Sequence, residues 1–231
     1  GEEEIGSPNL KDFLHCECQK LTSDFALNMD AGMISPDLPA ITYGLRGIAS
    51  FELQIQGPSR DLHSGQFGGA IHNPAQVICD LISGMHDTNG HISVPGFYND
   101  VLEIPINARN EINRLPLNEE QLLEQTGSPG IWGENEYTPA ERIGARPTLE
   151  VNGIQSGYTG EGTKTIIPSS AMAKITTRLV PNQDPDKIAQ CIYKYLENSV
   201  PKSARWSLVC HGGSHAAIID PELPAINLFA N

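Results

Sequence analysis

The order of elements along this chain predicts an α+β fold, an antiparallel sheet with two helices on one face. Three observations carry that expectation. Residues 171–180 alternate, with Ala171, Ala173, Ile175, Thr177 and Leu179 on one side and Met172, Lys174, Thr176, Arg178 and Val180 on the other, the mark of a strand with one buried face. Asn73-Pro74 and Asp184-Pro185 each set a capping side chain just before a proline, the signature of a helix start. Across 43–211 the order reads strand, helix, insertion, strand, strand, helix, strand. That is the βαββαβ order of a ferredoxin-like sandwich.

Each element follows from its local pattern. Pro8-Asn9-Leu10 leads into a helix around 9–20, and Asp24–Asp30 reads as a short buried strand ending on a carboxylate. Ser50–Gln56 alternates apolar and polar, and Gly57-Pro58-Ser59 stops that strand. Val77, Ile78, Leu81, Ile82 and Met85 recur at helical spacing after Asn73. Residues 88–146 are rich in Gly, Pro and Asn and read as an insertion with short helices near 118–125 and 138–143. Ile104, Ile106, Leu122, Leu123, Ile131 and Trp132 are apolar enough to pack it. Residues 147–155 form the next strand. Ile188, Cys191, Ile192, Tyr195 and Leu196 share one stripe of the second helix, and Trp206–Cys210 is the last strand.

Composition narrows the function. A net charge of −13 over 231 residues repels phosphate backbones, so nucleic acid is not an expected partner. No apolar run approaches the ~20 residues of a membrane helix, so no membrane is expected either. The five cysteines are odd in number and show no disulfide spacing, which fits a reducing, cytoplasmic setting. His15-Cys16-Glu17-Cys18 lacks a second ligand pair at zinc-finger spacing and reads as incidental. Gly1-Glu2-Glu3-Glu4 at the start and Leu228–Asn231 at the end suggest a fragment of a longer protein.

Three constellations could carry chemistry. Adjacent carboxylates in Glu2-Glu3-Glu4, with Asp30 beyond, can divide two tasks, one binding a cation and its neighbour taking a proton from water. The alternative is an acidic first turn favoured by the helix dipole. His63, in Asp61-Leu62-His63-Ser64-Gly65, is presented on a glycine-rich turn where it can donate to an oxyanion, or simply face solvent. Arg178 can clamp a substrate carboxylate, or lie idle on a solvent-facing strand.

Together these pieces are specific. Glu3-Glu4-Ile5-Gly6-Ser7, Asp30, Ile41–Gly47, Asp61–Gly69, Pro95-Gly96-Phe97-Tyr98, Gly162-x-Lys164-Thr165-Ile166-Ile167-Pro168 and Arg178-Leu179-Val180-Pro181 occur in an order that resembles the M20 metallopeptidase family, above all its dipeptidase branch with the carnosinase-type enzymes. The resemblance covers nearly the whole chain. It implies hydrolysis of dipeptides or short peptides at two divalent metal ions, zinc first, manganese or cobalt otherwise. It implies that Glu3 is the general base, that Glu4 binds one metal and Asp30 the other, and that His63 reaches into the site of a partner subunit to polarise the scissile carbonyl. Thr165 and Arg178 would contact substrate, Arg178 on its carboxylate. Residues 43–212 would be the lid and dimerisation domain of a homodimer, and 1–42 and 213–231 catalytic-domain segments.

The family also needs an early His-x-Asp segment, a bridging Asp and a late histidine, none of which falls within 1–231. His211 and His215 lie at the exit from the last strand and are not assigned as ligands. The expectation is a chain that binds metal weakly and is itself inactive. The other readings are an N-acyl amino acid deacylase or desuccinylase of the same family, acting on an acyl-amino acid, and a module that only dimerises.

Overall fold

The computed structural model describes residues 2, 4, 6–27, 37, 38 and 40–229. In chain order the elements are α1 (Leu10–Cys16), β1 (Gly44–Leu45), β2 (Gly47–Gln56), β3 (Leu62–His63), α2 (Ser64–Phe67), α3 (Pro74–Ser83), α4 (Ile106–Ile112), α5 (Glu119–Thr126), α6 (Pro139–Gly144), β4 (Thr148–Ser156), β5 (Ile166–Ile167), β6 (Ser170–Leu179), α7 (Pro185–Ser199), β7 (Arg205–Ser214), β8 (Ala217–Ile218) and α8 (Pro224–Phe229). They fall into two compact units, Tyr43–Ile219 and the pair of segments Gly1–Thr42 and Asp220–Asn231.

The larger unit is built on a four-stranded sheet ordered β4-β6-β2-β7, antiparallel throughout. The β2–β6 register runs unbroken from Gly47↔Leu179 to Gln56↔Ser170. Alternation then does its work. Ala49, Phe51, Leu53 and Ile55 of β2 and Ala171, Ala173, Ile175 and Leu179 of β6 are all buried, against Val77, Ile78 and Leu81 of α3 and Ile188, Ile192 and Leu196 of α7. Each of the larger side chains, Val, Leu, Ile or Phe, contributes about 1.5–3 kcal/mol relative to exposure. Asn73 and Asp184 cap α3 and α7 by accepting from Ala75 N–H and from Asp186 and Lys187 N–H. The opposite face of the sheet carries Glu52, Lys174 and Arg178.

The last strand is longer than its apolar run. β7 continues through His211 to Ser214, pairing Ala49↔Gly213 and Ile48↔Ser214, because glycines leave room for the crossing. A Cβ on Gly47 would lie 2.4 Å from the Ser214 carbonyl oxygen. His211 is therefore not at the strand's exit but within it, its Nε2 3.9 Å from Glu52, which also pairs with Lys174. The Lys174 hydrogen bond foremost holds the Glu52 carboxyl below the usual range.

The insertion departs further. A helix, α4, forms where none was expected, and Ile106 and Trp132 are 74% and 62% exposed. What is buried between 100 and 146 is Glu134, Ala140, Glu141 and Arg146. Arg146 grips Glu134 through Nε at 2.5 Å and Nη2 at 2.8 Å and stacks over Tyr137 at 4.1 Å. Burial, the largest single influence, pushes the Glu134 carboxyl up, but the hydrogen bonds from Arg146 and Tyr98 together with the Arg146 charge outweigh it and hold it below its ordinary value. Glu141 accepts from Arg109 at 2.6 and 3.0 Å and from the Thr138 N–H at 2.8 Å, closing a capping box on α6. The Arg109 bonds, first among these, lower its pKa to about 2. Ile104, Leu122, Leu123 and Ile131 are half-buried as expected, but the fully buried places go mainly to paired charge.

In the smaller unit, α1 stops at Cys16, short of the expected residue 20. Residues 24–27 are irregular, with Phe25 and Leu27 exposed, so the expected strand does not form there. Among the described residues no sheet includes 24–27. Asn28, Met29 and Asp30 lie outside the described residues.

Candidate active site

Beyond the end of β2 the chain turns into a small two-stranded ribbon. β3 pairs with β5 at Leu62↔Ile167 and His63↔Ile166. Two hydrogen bonds lock the ribbon to the main sheet, Gly57 N–H to the Ser169 carbonyl at 2.9 Å and Ser169 N–H to Asp61 Oδ1 at 2.8 Å. This register brings His63 and Thr165, 102 residues apart, into contact, with Nε2 and Oγ1 3.1 Å apart. On its other side, His63 Nδ1 accepts from the Gly65 N–H at 3.1 Å and so caps α2. Both side chains of the pair are exposed. An oriented imidazole and a hydroxyl, open on one side, can donate to a carbonyl oxygen delivered from outside. In the adjoining loop, the Lys164 ammonium sits 5.5 Å over the Tyr158 ring, and the Tyr158 hydroxyl donates to the Glu161 carbonyl at 2.8 Å.

Arg178 lies at the far end of β6, in register with Ile48 and Thr148. Eight residues of strand separate it from Ser170, roughly 26 Å at about 3.3 Å per residue. The expected three-residue grouping is therefore not one cluster within the chain. His63 and Thr165 sit together at one end of the sheet, and Arg178 sits at the other. Arg178 has company that its sequence neighbours do not announce. Arg46 stands just before β2, close enough to Arg178 for the two charges to interact, and its guanidinium pKa falls, first through burial and then through the Arg178 charge. Glu150 offsets this, and burial in turn raises its own carboxyl pKa. Two guanidiniums beside one carboxylate leave positive charge for an anion. Arg46 falls within the Ile41–Gly47 motif, but its place beside Arg178 comes from the fold.

The comparisons with known proteins agree with this architecture. The model of the M20 peptidase dimerisation domain matches residues 43–204. The chain belongs to the M20 peptidase family. It is 32% identical over 199 residues to a Cys-Gly metallodipeptidase of Schizosaccharomyces pombe, covering 85% of this chain and 42% of that protein. It is 30% identical over 204 residues to the human Beta-Ala-His dipeptidase, covering 87% and 40%. It superposes on the crystal structure of an M20 family metallo-carboxypeptidase from Sulfolobus solfataricus with a TM-score of 0.85 and 32% identity, over 98% of this chain and 51% of that one. The M20 chain thus spans about two fifths of the length of these curated relatives.

Glu3 and Asp30 lie outside the described residues, and Glu4 is exposed. Glu2 accepts from the Asn9 N–H at 3.1 Å and from Asn9 Nδ2 at 2.5 Å, ahead of α1, whose first turn carries Asp12 and none of the three glutamates. Among the described residues no three His, Cys, Asp or Glu side chains converge to hold a metal ion. A lone Glu4 does not make a zinc or manganese site, so no chemistry is built on one here. His15, Cys16 and Cys18 are exposed, and Glu17 is taken up by Lys20 at 2.5 Å.

Proposed function

We propose that these 231 residues belong to a longer M20 peptidase that hydrolyses the amide bond of dipeptides or short peptides. The reading rests above all on the His63–Thr165 pair, held open to one side on a glycine turn. Two similar proteins named as dipeptidases support the substrate class. In this reading 43–212 is a ferredoxin-like lid and dimerisation domain, a form supported by the sheet order β4-β6-β2-β7 with α3 and α7 as its crossing helices. Segments 1–42 and 213–231 are parts of the catalytic domain. All five cysteines are free, which supports a cytoplasmic setting. Among the described residues no helix is long and apolar enough to cross a membrane.

A dipeptide spans about 7 Å, two residues at about 3.5 Å each. His63 and Arg178 of one chain therefore serve different substrates. The arrangement works in a homodimer, where His63 and Thr165 complete the partner's site while Arg178 serves another. His63 Nε2–H donates to the scissile carbonyl and stabilises the oxyanion, with Thr165 beside it. Arg178 binds the substrate's free carboxylate, Arg46 adding to the local positive charge. Glu3 takes the proton of the attacking water and passes it to the leaving amine. Two divalent ions, zinc or in its place manganese or cobalt, would be held in part by Glu4 and Asp30 and would supply the activated water.

The high structural similarity to a metallo-carboxypeptidase favours a second reading, removal of a C-terminal residue from a longer peptide. A free α-carboxylate on Arg178 is common to both. A panel of dipeptides, longer peptides and N-acyl amino acids, offered to the full-length protein with zinc or manganese, separates the readings. Dipeptide turnover is expected. Turnover of N-acyl amino acids alone would replace the peptidase reading with a deacylase, and no turnover by a dimeric protein would leave only dimerisation. The 231-residue chain itself is expected to hydrolyse none of them.

A further inference from the structure

The His63 ring is fixed at both nitrogens, and the two bonds are not equivalent. Gly65 supplies a backbone N–H, which can only donate, and it points at Nδ1 from 3.1 Å. Nδ1 must therefore present its lone pair, and in the neutral ring the hydrogen sits on Nε2. The Thr165 hydroxyl, 3.1 Å from Nε2, accepts that hydrogen and keeps its own O–H free to point outward. The ring is then an Nε2–H donor and not a mixture of two tautomers, and a substrate carbonyl oxygen takes or shares the hydrogen that Thr165 accepts in its absence. Placing a hydrogen on Nδ1 as well would require the ring to give up Gly65.

Only glycine permits this fold-back. A Cβ at position 65 would lie 2.8 Å from His63 Cε1 and 3.1 Å from Nδ1, well inside the ~3.5–4.0 Å of a normal contact. The imidazole is exposed and held by these two hydrogen bonds, so a methyl group there displaces the ring and not the backbone. Gly65 does not adopt the left-handed conformation, and it sits in the first turn of α2, where alanine is the better helix former. Its conformation is thus open to alanine, and the ring is what excludes a side chain.

We propose that Gly65 is a positioning residue whose amide sets the tautomer and direction of His63, so that the imidazole acts as an Nε2–H donor. The tautomer stands on the geometry alone. Its catalytic consequence rests on the reading of His63 as the carbonyl-polarising group of an M20 peptidase.

The test has two arms. In the first, the imidazole nitrogens of the 15N-labelled chain are observed by long-range proton–nitrogen correlation at alkaline pH, with His63→Asn to assign the signals. The wild type is expected to show a single Nε2–H tautomer for His63 and Gly65→Ala a tautomer mixture. A mixture in the wild type, or an unchanged spectrum in Gly65→Ala, would overturn the proposal. In the second arm, Gly65→Ala in the full-length enzyme is expected to lower kcat by about ten- to hundredfold, the range lost when the partner orienting a metal-binding histidine is removed. KM should move by no more than about twofold, and the melting temperature should hold or rise. Wild-type kcat in Gly65→Ala, alongside a large loss in His63→Ala, would refute the positioning role. Wild-type kcat in both variants would instead refute the donor reading of His63, and the tautomer result would stand by itself.

Discussion

The sheet with its two helices and the segment from 100 to 146 are parts of one compact unit, yet they close by different physics. Between the sheet, α3 and α7, the buried side chains are aliphatic or aromatic, apart from Thr177, whose hydroxyl donates to the Ala49 carbonyl at 3.3 Å. From 100 to 146, three of the four buried side chains are Glu134, Glu141 and Arg146, and every charge among them is paired. Aliphatic packing is tolerant, because a neighbour of similar volume can substitute. A buried ion pair is not, because losing one partner strands the other without solvent. The first region supplies a stiff platform for His63 and Arg178. The second is conditional on charge state.

The two tryptophans report on the two regions separately, Trp132 against His86 beside the insertion and Trp206 against Tyr193 on the sheet and helix. With Trp132→Phe and Trp206→Phe backgrounds, each remaining fluorophore follows one region. Phe51→Ala empties the centre of the apolar core and is expected to lower stability by about 3–5 kcal/mol, with both probes unfolding together. Arg146→Ala leaves Glu134 buried and unpaired, a loss of about 3–5 kcal/mol expected to fall on the insertion first. Trp132 should then unfold before Trp206, and coincident transitions would show that the two regions do not differ in this way.

Acid is the gentler probe of the same difference. The folded-state pKa of Glu141 is depressed to about 2 from an ordinary value of 4.5. A depressed carboxylate contributes stability that is fully present above its unfolded pKa and is lost as pH falls toward the folded one. Between pH 4.5 and 2 the Trp132 signal should change ahead of the Trp206 signal. Glu141→Gln, which removes the titrating group, should flatten that dependence.

The same contrast explains what was legible in the sequence. Residues 171–179 announced their strand because one face is apolar and the other is not, and Asn73-Pro74 and Asp184-Pro185 announced their helices because caps are local. Ile106 and Trp132 misled because apolarity alone does not bury a side chain when nothing apolar lies opposite. Arg146 and Glu134 were silent because a pair 12 residues apart in an irregular segment leaves no periodic trace. In the site, residue type and order picked out His63, Thr165 and Arg178. Their partition could not be read, because it depends on β6 lying between Thr165 and Arg178 and on the β3–β5 register that sets Thr165 against His63. Gly65 was visible as part of a turn, but its amide's aim at Nδ1 is a matter of geometry.

The central claim is that the lid of one M20 subunit completes the active site of another. The most direct measurement mixes two full-length variants, Glu3→Gln and His63→Ala, each inactive by itself on a dipeptide. Exchange of subunits gives a hybrid in which one site has both an intact Glu3 and an intact His63 from the opposite chain. The account predicts that the mixture regains about a quarter of wild-type activity, since random pairing makes half the dimers hybrid with one working site in each. A mixture that exchanges subunits and stays inactive would contradict it.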